Sequence, residues 1–304
     1  MPWKKKGRIF VNDKKQYWNK QYCGIPTAYL LSDEKLRIYY YSMDDKMDGR
    51  ISYIDVSAED PKHILYVHAE PVIDIGSPGT FDDSGICPSA VISIEQKTYM
   101  YYFGVQRTEK TPYMYFAGLG EILDDDTIIR TQNVPILDRT TNEPYLRSAS
   151  TILKDDGRYM MIYVSANEWF TWNNKQYPKY ILRKMYSKNG LDWNGKSDIV
   201  LNFEHEGEFG FGRPWLIKEN GVYKLYYSIR STNEPYKLGY AESTDGVLWE
   251  RKDYLMDIKR SKEGWDSEMV CYPCVVSTKY GKYLFYNGNQ HGASGFGYAI
   301  WQEQ

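Results

Sequence analysis

The sequence has almost no excess charge of either sign. Its 304 residues carry a formal net charge of −2, and this near-neutral balance argues against a polyanionic partner such as nucleic acid. No apolar stretch reaches the roughly 18–20 residues that a membrane span needs, and the N-terminus shows no apolar signal-peptide region. The composition therefore predicts a soluble, cytoplasmic protein with no nucleic-acid partner and no membrane partner.

Cysteine and histidine are also scarce, with four residues of each. Cys271 and Cys274 have the spacing of a redox or zinc half-site, but the chain has no second ligand pair at similar spacing. Residues three apart on a strand point to opposite faces, so these two thiols would not converge. We therefore expect buried free thiols, no metal site and no cofactor.

Aromatic residues, by contrast, are abundant: they make up 16% of the chain, with 30 tyrosines. Strand-like apolar segments recur in five units of about 60 residues, each with a tyrosine-rich second segment such as KTYMYYFG or VYKLYYSI. The first segments of the units begin near Pro26, Pro88, Ser148, Pro214 and Pro273. Repeated units of three or four short strands predict an all-β fold, a five-bladed β-propeller that forms one domain over residues 1–304.

A second repeat suggests how such a ring would close. SKNGLDW at 187–193 and STDGVLW at 243–249 are nearly the same phrase, and the Asx-Gly pair is a tight-turn signal. We assign this phrase a structural role, with its tryptophan packed between blades. The last unit lacks the phrase, but the segment from Trp3 to Phe10 resembles the stretch that follows it. Residues 3–10 are therefore predicted to supply the outer strand of the fifth blade and to leave no open sheet edge there.

Carboxylates precede the first segment in four of the five units. They lie five or six residues before it: Asp83 in FDDSGICPS, Glu143 in NEPYLRSAS, Glu208 in GEFGFGRPW and Glu268 in GWDSEMVCYP. Asp82 and Asp266 stand close by, whereas the first unit has Gln21 at this place. If the inner strands converge, the acids should share one funnel, and mutual repulsion should raise some of their pKa values. Alternatively, each acid caps a turn or pairs with an arginine.

Basic and amide side chains accompany these acids at the predicted rim of the funnel. The candidates for substrate binding are Arg107, Arg147, Arg213, Arg230, Asp82, Asp266, Tyr272, Asn287 and His291. The arginines either neutralise neighbouring acids or hold a phosphate or carboxylate of the ligand. His291 has no companion histidine nearby, so metal binding is the weaker interpretation.

Over its whole length the sequence resembles the five-bladed propeller glycosidases of glycoside hydrolase families 43, 32 and 130. Within them it is most similar to glycosyl hydrolase-like propellers of bacterial surface-polysaccharide or nucleotide-sugar loci. The resemblance rests on five stretches: FDDSGICPSAVI, ILDRTTNEPYL, GRPWLIKENGVYKLYYSIR, YAESTDGVLWERKD and GWDSEMVCYPCVV with YLFYNGN and GFGYA. In the characterised families a carboxylate opens the first blade, where this chain has only Gln21 before Pro26.

Together, the residues and the resemblance predict an enzyme that acts at the anomeric centre of a sugar. Glu208 would be the general acid and Asp83 the base or nucleophile, while Glu143 and Glu268 would orient the substrate or adjust pKa values. The arginines favour a phosphorylated, nucleotide-linked or acidic sugar as the small-molecule partner. The alternative is a non-catalytic carbohydrate-binding propeller, because a fold alone does not determine function. The sequence leaves the oligomeric state open.

Overall fold

The structure is a computed structural model that describes residues 3–302 apart from the side chain of Asn167. These residues form twenty strands with two single-turn helices, which confirms the all-β prediction. No helix in that range is long and apolar enough to cross a membrane. The elements are β1 (Trp3–Phe10), β2 (Gln21–Ser32), β3 (Lys35–Met43), β4 (Gly49–Ser57), β5 (Ile64–Val67), β6 (Gly85–Ile94), β7 (Lys97–Gln106), β8 (Met114–Ile122), β9 (Ile128–Arg130), β10 (Arg147–Asp155), β11 (Arg158–Trp172), β12 (Lys175–Ser187), β13 (Asp198–Ile199), β14 (Glu208–Glu219), β15 (Val222–Ser231), β16 (Lys237–Ser243), β17 (Glu250–Arg251), a 3-10 helix (Asp253–Leu255), β18 (Cys271–Thr278), β19 (Gly281–Asn287), α1 (Asn289–Gly292) and β20 (Phe296–Trp301).

Within the described residues the strands fall into five antiparallel sets. Set 1 is β2–β5, set 2 is β6–β9, set 3 is β10–β13, set 4 is β14–β17, and set 5 is β18–β20 with β1. The second strand of each set is central and largely buried, which explains its nearly continuous tyrosine-rich apolar sequence. Sets 1 and 2, sets 2 and 3, and sets 3 and 4 are each joined by a single parallel pair. In the first of these, Gly49 with Gly85, a Cβ on Gly85 would lie 3.0 Å from the Gly49 nitrogen.

The N-terminal strand completes set 5. β1 pairs antiparallel with β20, from Trp3 opposite Trp301 to Phe10 opposite Phe296. Trp3 is buried and makes edge-on contacts with the rings of Trp301 and Tyr226. The side chain of Trp3 therefore joins set 5 to the second strand of set 4.

The repeated Ser-x-Asx-Gly phrase has the structural role that the sequence predicts. In both copies the serine hydroxyl accepts the glycine N–H, at 2.9 Å in Gly190 and in Gly246, and the Asx side chain accepts the next two backbone N–H groups. Trp193, which ends the first copy, is buried and donates from its indole nitrogen to the Tyr101 hydroxyl at 3.2 Å. This contact crosses from set 3 to set 2, so Trp193 packs between neighbouring sets. Trp249, which ends the second copy, contacts the ring of Tyr223 in its own set.

Each first strand has a β-bulge at the same place, and the bulges converge. Pairing with the second strand is interrupted after Gly24, Pro88, Ser148, Gly212 and Cys271. Four bulges contain a residue of positive φ: Ile25, Ala149, Arg213 and Tyr272. Bulges turn side chains away from the ordinary strand alternation, and here they present these residues to a common centre. By strand register, Ser89 and Ser150 occupy the place that Pro26, Pro214 and Pro273 have in the other sets, whereas the sequence pattern aligned Pro88 and Ser148 with those prolines.

Candidate functional site

A cavity of about 260 Å³ lies where the first strands of all five sets meet, and we call it the central cavity. Each first strand contributes a lining residue at or next to its bulge: Ile25, Cys87, Ala149, Arg213 and Tyr272. Tyrosines from later strands and loops add much of the wall: Tyr41, Tyr113, Tyr115, Tyr180 and Tyr236. The charged side chains among the described lining residues are all arginines, namely Arg107, Arg213 and Arg230.

Arg230, at the end of β15, is buried in an aromatic box. Its guanidinium carbon lies 4.5–5.9 Å from the ring centroids of Tyr180, Phe209, Tyr236 and Tyr177. Its Nε and Nη1 atoms are buried and have no hydrogen-bond partner within residues 3–302. No carboxylate in that range forms an ion pair with Arg230, so the rings are its main electrostatic partners.

Arg213 is equally buried but well supplied with acceptors. From β14 its guanidinium donates to the Ser89 carbonyl at 2.6 Å and to the Thr27 hydroxyl at 2.8 Å, with a longer contact of 3.5 Å to the Pro26 carbonyl. These bonds join the first strands of sets 4, 2 and 1 across the centre. Burial lowers the pKa of Arg213 to about 10, so the side chain remains cationic at neutral pH. Its partners are neutral, and the described residues offer it no carboxylate.

The other predicted arginines differ from these two. Arg107 lines the mouth of the cavity, is half-exposed, and contacts the Asp48 carboxylate at 2.9 Å. Arg147 does not line the cavity: it is buried beside Glu143 and donates to the Asp138 carbonyl. Thus three of the four predicted arginines lie at the cavity, and two of those have no acidic partner in the part of the chain that the structure describes.

Tyr272, His291 and Asn287 form a shell on the set 5 side. Tyr272 lines the cavity, and its hydroxyl lies 3.4 Å from Nδ1 of His291. Burial lowers the pKa of His291 to about 4, with a further contribution from Arg230, so this imidazole is neutral at neutral pH. The side chain of Asn287 is fully buried and bonds only to backbone groups in the described chain. It accepts a hydrogen bond from the Ile25 N–H and donates to the carbonyls of Cys23 and Gly295.

Four of the predicted acids share a structural position away from the cavity, and we call them the entry carboxylates: Asp82, Glu143, Glu208 and Asp266. Each is buried at the entrance of a first strand and meets a cation of its own set. Asp82 accepts from Arg130 of β9 at 2.7 Å, and Asp266 from Lys5 of β1 at 2.6 Å. The repeated acid in the sequence therefore reflects a repeated ion pair within each set.

A tyrosine of the second strand accompanies three of these carboxylates, always twenty residues later. Tyr102 donates to Asp82 at 3.3 Å and Tyr286 to Asp266 at 3.0 Å. Tyr163 donates to both oxygens of Glu143 at 2.9 Å, and Ser197 adds another bond of 2.9 Å. These acceptor sites are fully used by the protein, which is typical of a structural buried network.

Glu208 has the most complete set of partners. Arg251 of β17 donates two bonds of 2.7 and 2.8 Å, and the backbone N–H groups of Glu204 and His205 add two more. Burial by itself would raise the pKa of Glu208, but these bonds hold it below the usual value. A general acid needs a raised pKa and access to the leaving group. The partners of Glu208 do not favour that role, so its assignment as the general acid stays a prediction.

Asp83 and Glu268 occupy different surroundings from their neighbours. Asp83 is half-buried and accepts from the Gly79 N–H at 2.8 Å and the Ser84 hydroxyl at 2.7 Å. Ser84 lines the central cavity, and Asp83 itself is outside the lining. Glu268 is exposed. The expected convergence of four carboxylates on one funnel is therefore wrong, because no described carboxylate lines the cavity. Only two of the four acids, Glu143 and Glu208, instead pair with cations of their own sets.

The sequence patterns missed most of the aromatic wall. Tyr113 stacks on Tyr115 with 4.2 Å between centroids, and its hydroxyl is 3.0 Å from that of Tyr180. Such residues carry no local signal in a chain with 30 tyrosines. Position relative to the bulge would have identified Cys87 and Ala149.

All four cysteines are free and buried, as predicted. In residues 3–302 there is no cluster of three or more histidine, cysteine or acidic side chains placed to hold a metal ion.

No family model matches the sequence. Among curated proteins, the uncharacterised protein Rv1502 of Mycobacterium tuberculosis is 26% identical over 302 residues, which are 99% of both chains. Because this identity is spread over the whole length, the two chains have the same extent.

Several solved structures that are described as glycosidases or glycoside hydrolases have a similar fold. A putative glycosidase from Bacteroides thetaiotaomicron is 17% identical with a TM-score of 0.72, covering 98% of this chain and 96% of that one. A structure from family 130, described with mannoside phosphorylases, is 15% identical with a TM-score of 0.73 over 99% and 94%. The family 43 enzyme of Xanthomonas citri, complexed with xylose, is 15% identical with a TM-score of 0.64 over 93% and 87%. The predicted resemblance to families 43 and 130 is thus confirmed for the fold.

Proposed function

We propose that this chain is a glycosidase-type protein whose central cavity binds a sugar that carries a phosphate or carboxylate group. The observation that supports the anionic group most directly is the pair of buried arginines, Arg213 and Arg230, without an acidic partner in the described chain. A buried cation is costly unless it is paired. An anionic ligand would supply the missing charge, and the tyrosine wall suits the faces and hydroxyl groups of a sugar ring.

Two functions share this ligand. The fold resemblance favours an enzyme that acts at the anomeric centre, and Asp83, adjacent to the cavity-lining Ser84, is then our candidate base. One observation favours the alternative, a non-catalytic binding protein: glycoside hydrolysis ordinarily needs two carboxylates at the scissile bond, and none lines the described cavity. Incubation of bound sugars with the protein, followed by product analysis, distinguishes the two.

In the proposed architecture, the five antiparallel sets are the blades of one propeller domain over residues 1–304. The pairing of β1 with β20 would close this propeller. The free thiols suit a reducing compartment such as the cytoplasm. There the protein would act in nucleotide-sugar or surface-polysaccharide metabolism, as the sequence resemblance suggests.

The binding experiment compares matched acidic and neutral sugars by titration calorimetry: galacturonic acid with galactose, and glucose 1-phosphate with glucose. We expect the acidic member to bind more tightly and to weaken as salt rises. Arg230→Met should lower the affinity for the acidic ligand at least about tenfold, which corresponds to about 1.4 kcal/mol. The affinity for the neutral ligand should change little. Arg260→Met, at an exposed arginine, is the control. Equal losses for acidic and neutral sugars in Arg230→Met would refute the anionic ligand.

A further inference from the structure

A second depression adjoins the central cavity. It is a groove of about 470 Å³ between the loop at 108–113 and the tip of the β11–β12 hairpin, and we call it the distal groove. Its described lining residues are Thr108, Glu109, Lys110, Thr111, Pro112, Tyr113, Lys175, Gln176 and Tyr177. Pro112 and Tyr113 also line the central cavity, so the two spaces share a wall.

One side of the groove is a long hairpin held in a fixed position. β11 and β12 are the longest strands, and their pairing continues to Trp172 opposite Lys175, where Asn173 and Asn174 both have positive φ and make a tight turn. Near the tip, Trp172 and Tyr177 pack on the ring of Phe209 from β14. The hairpin thus extends past the sheet and is braced by an aromatic cluster.

The opposite side is a loop with internal bonds. The Thr108 hydroxyl donates to the Thr111 carbonyl at 2.6 Å and accepts the Thr111 N–H at 3.2 Å. Tyr113, which follows, is stacked on Tyr115 and lies edge-on to Trp169 of the hairpin. Both sides of the groove are therefore built before any ligand arrives, which reduces the entropy cost of binding.

Three long polar side chains of the groove have no partner in the part of the protein that the structure describes. Lys110, Lys175 and Gln176 are exposed and make no side-chain hydrogen bond or ion pair within residues 3–302. Two lysines against one acid, Glu109, leave the groove weakly cationic. Amide, hydroxyl and ammonium donors beside a tyrosine ring are the side chains that bind sugar hydroxyls and acidic sugar groups.

One residue links the groove to the anion-binding end of the cavity. Tyr177 lines the groove, while its ring centroid lies 5.9 Å from the guanidinium carbon of Arg230. Tyr177 and the shared residue Tyr113 therefore place the groove beside the part of the cavity that contains Arg230.

From this continuity we propose that the distal groove is a second sugar subsite, so that the ligand is an acidic oligosaccharide of at least two units. The inference rests on the proposed function, because it takes the acidic unit to be held in the central cavity. The lysines and Gln176 would then recognise the second unit, and they would determine ligand length without touching the first.

The test compares galacturonic acid with digalacturonic acid by titration calorimetry. Wild-type protein should bind the dimer at least about tenfold more tightly than the monomer. Lys110→Ala/Lys175→Ala should remove most of this advantage and leave monomer affinity unchanged. The control, Lys188→Ala/Lys196→Ala, removes the same charge at exposed positions away from the groove and should bind both ligands like wild type.

Each other result is decisive. A dimer that binds no more tightly than the monomer overturns the second subsite, as does a groove variant that weakens both ligands equally. UDP-galacturonic acid is the third probe: if it alone gains from the lysines, the groove holds a nucleotide and the oligosaccharide is refuted. A wild-type protein that binds no probe through Arg230 overturns the proposed function instead.

Discussion

Buried charged side chains have opposite surroundings in the central cavity and at the entry carboxylates. At the entrances every buried acid has a cation within 4 Å, as in Glu208 with Arg251 and Asp82 with Arg130. In the centre two buried arginines have no acid in the described chain. The difference indicates that the fold balances charge where it needs stability and leaves it unbalanced where a ligand is expected to complete the site.

The comparison also separates Arg213 from Arg230. Arg213 donates to carbonyl and hydroxyl oxygens of two other first strands, whereas Arg230 is surrounded by rings and has two unpartnered nitrogens. Both lie at the cavity, yet within the described chain only Arg213 makes side-chain hydrogen bonds that a substitution would remove. Substitutions of Arg213 and Arg230 should therefore change the free energy of unfolding by different amounts or with opposite sign. Substitutions of the entry carboxylates should differ from both in the same way.

The largest effect is expected at an entrance. Glu208→Gln replaces one partner of a buried two-bond pair and leaves Arg251 without its full counter-charge, which should lower the free energy of unfolding by about 3–5 kcal/mol. Denaturant unfolding measures this change. Glu206→Gln, at an exposed neighbour, is the control and should be neutral. If Glu208→Gln keeps wild-type stability but loses turnover, the ion pair is catalytic after all.

The pH dependence of stability provides a second test of the Glu208–Arg251 ion pair. The pKa of Glu208 is lower in the folded protein than its ordinary value of 4.5. Its charged form therefore stabilises the fold at a pH above the unfolded pKa, and this contribution is lost as the pH falls through the folded pKa. Wild type and Glu208→Gln should thus differ in stability at pH 7 and approach each other as the pH falls through the folded pKa of Glu208.

The sequence predicts those parts of the fold whose local pattern recurs in several strand sets. The strand sets, the role of Trp193 and the pairing of Trp3–Phe10 with the last strand follow from repeated local patterns, which each set satisfies independently. The acids repeat as well, and their repetition alone predicts convergence on one funnel. Sequence position could not show which way a carboxylate points, because its cation lies on a distant strand, 43 residues away for Glu208 and Arg251.

The second-largest effect is expected at Arg213. Arg213→Met would leave the buried Ser89 carbonyl and Thr27 hydroxyl without their donor, at a cost of about 1–3 kcal/mol. Removal of the buried charge offsets part of this loss. Methionine keeps a similar length and meets the same positive-φ backbone, so the backbone strain is unchanged. A stability equal to wild type in denaturant unfolding would show that these bonds across the centre contribute nothing.

The smallest effect on stability is expected at Arg230, where the ligand-binding effect is large. Arg230→Met loses no hydrogen bond seen in the described chain, and it exchanges cation–ring contacts, worth roughly 0.5–2 kcal/mol, for relief from burying an unpaired charge. The unfolding free energy should therefore stay within about 1 kcal/mol of wild type or rise. In thermal unfolding with galacturonic acid, wild type should gain stability through ligand binding and Arg230→Met should not. A loss as large as that of Arg213→Met would make Arg230 a structural residue, and the contrast between cavity and entrances would then no longer indicate a ligand.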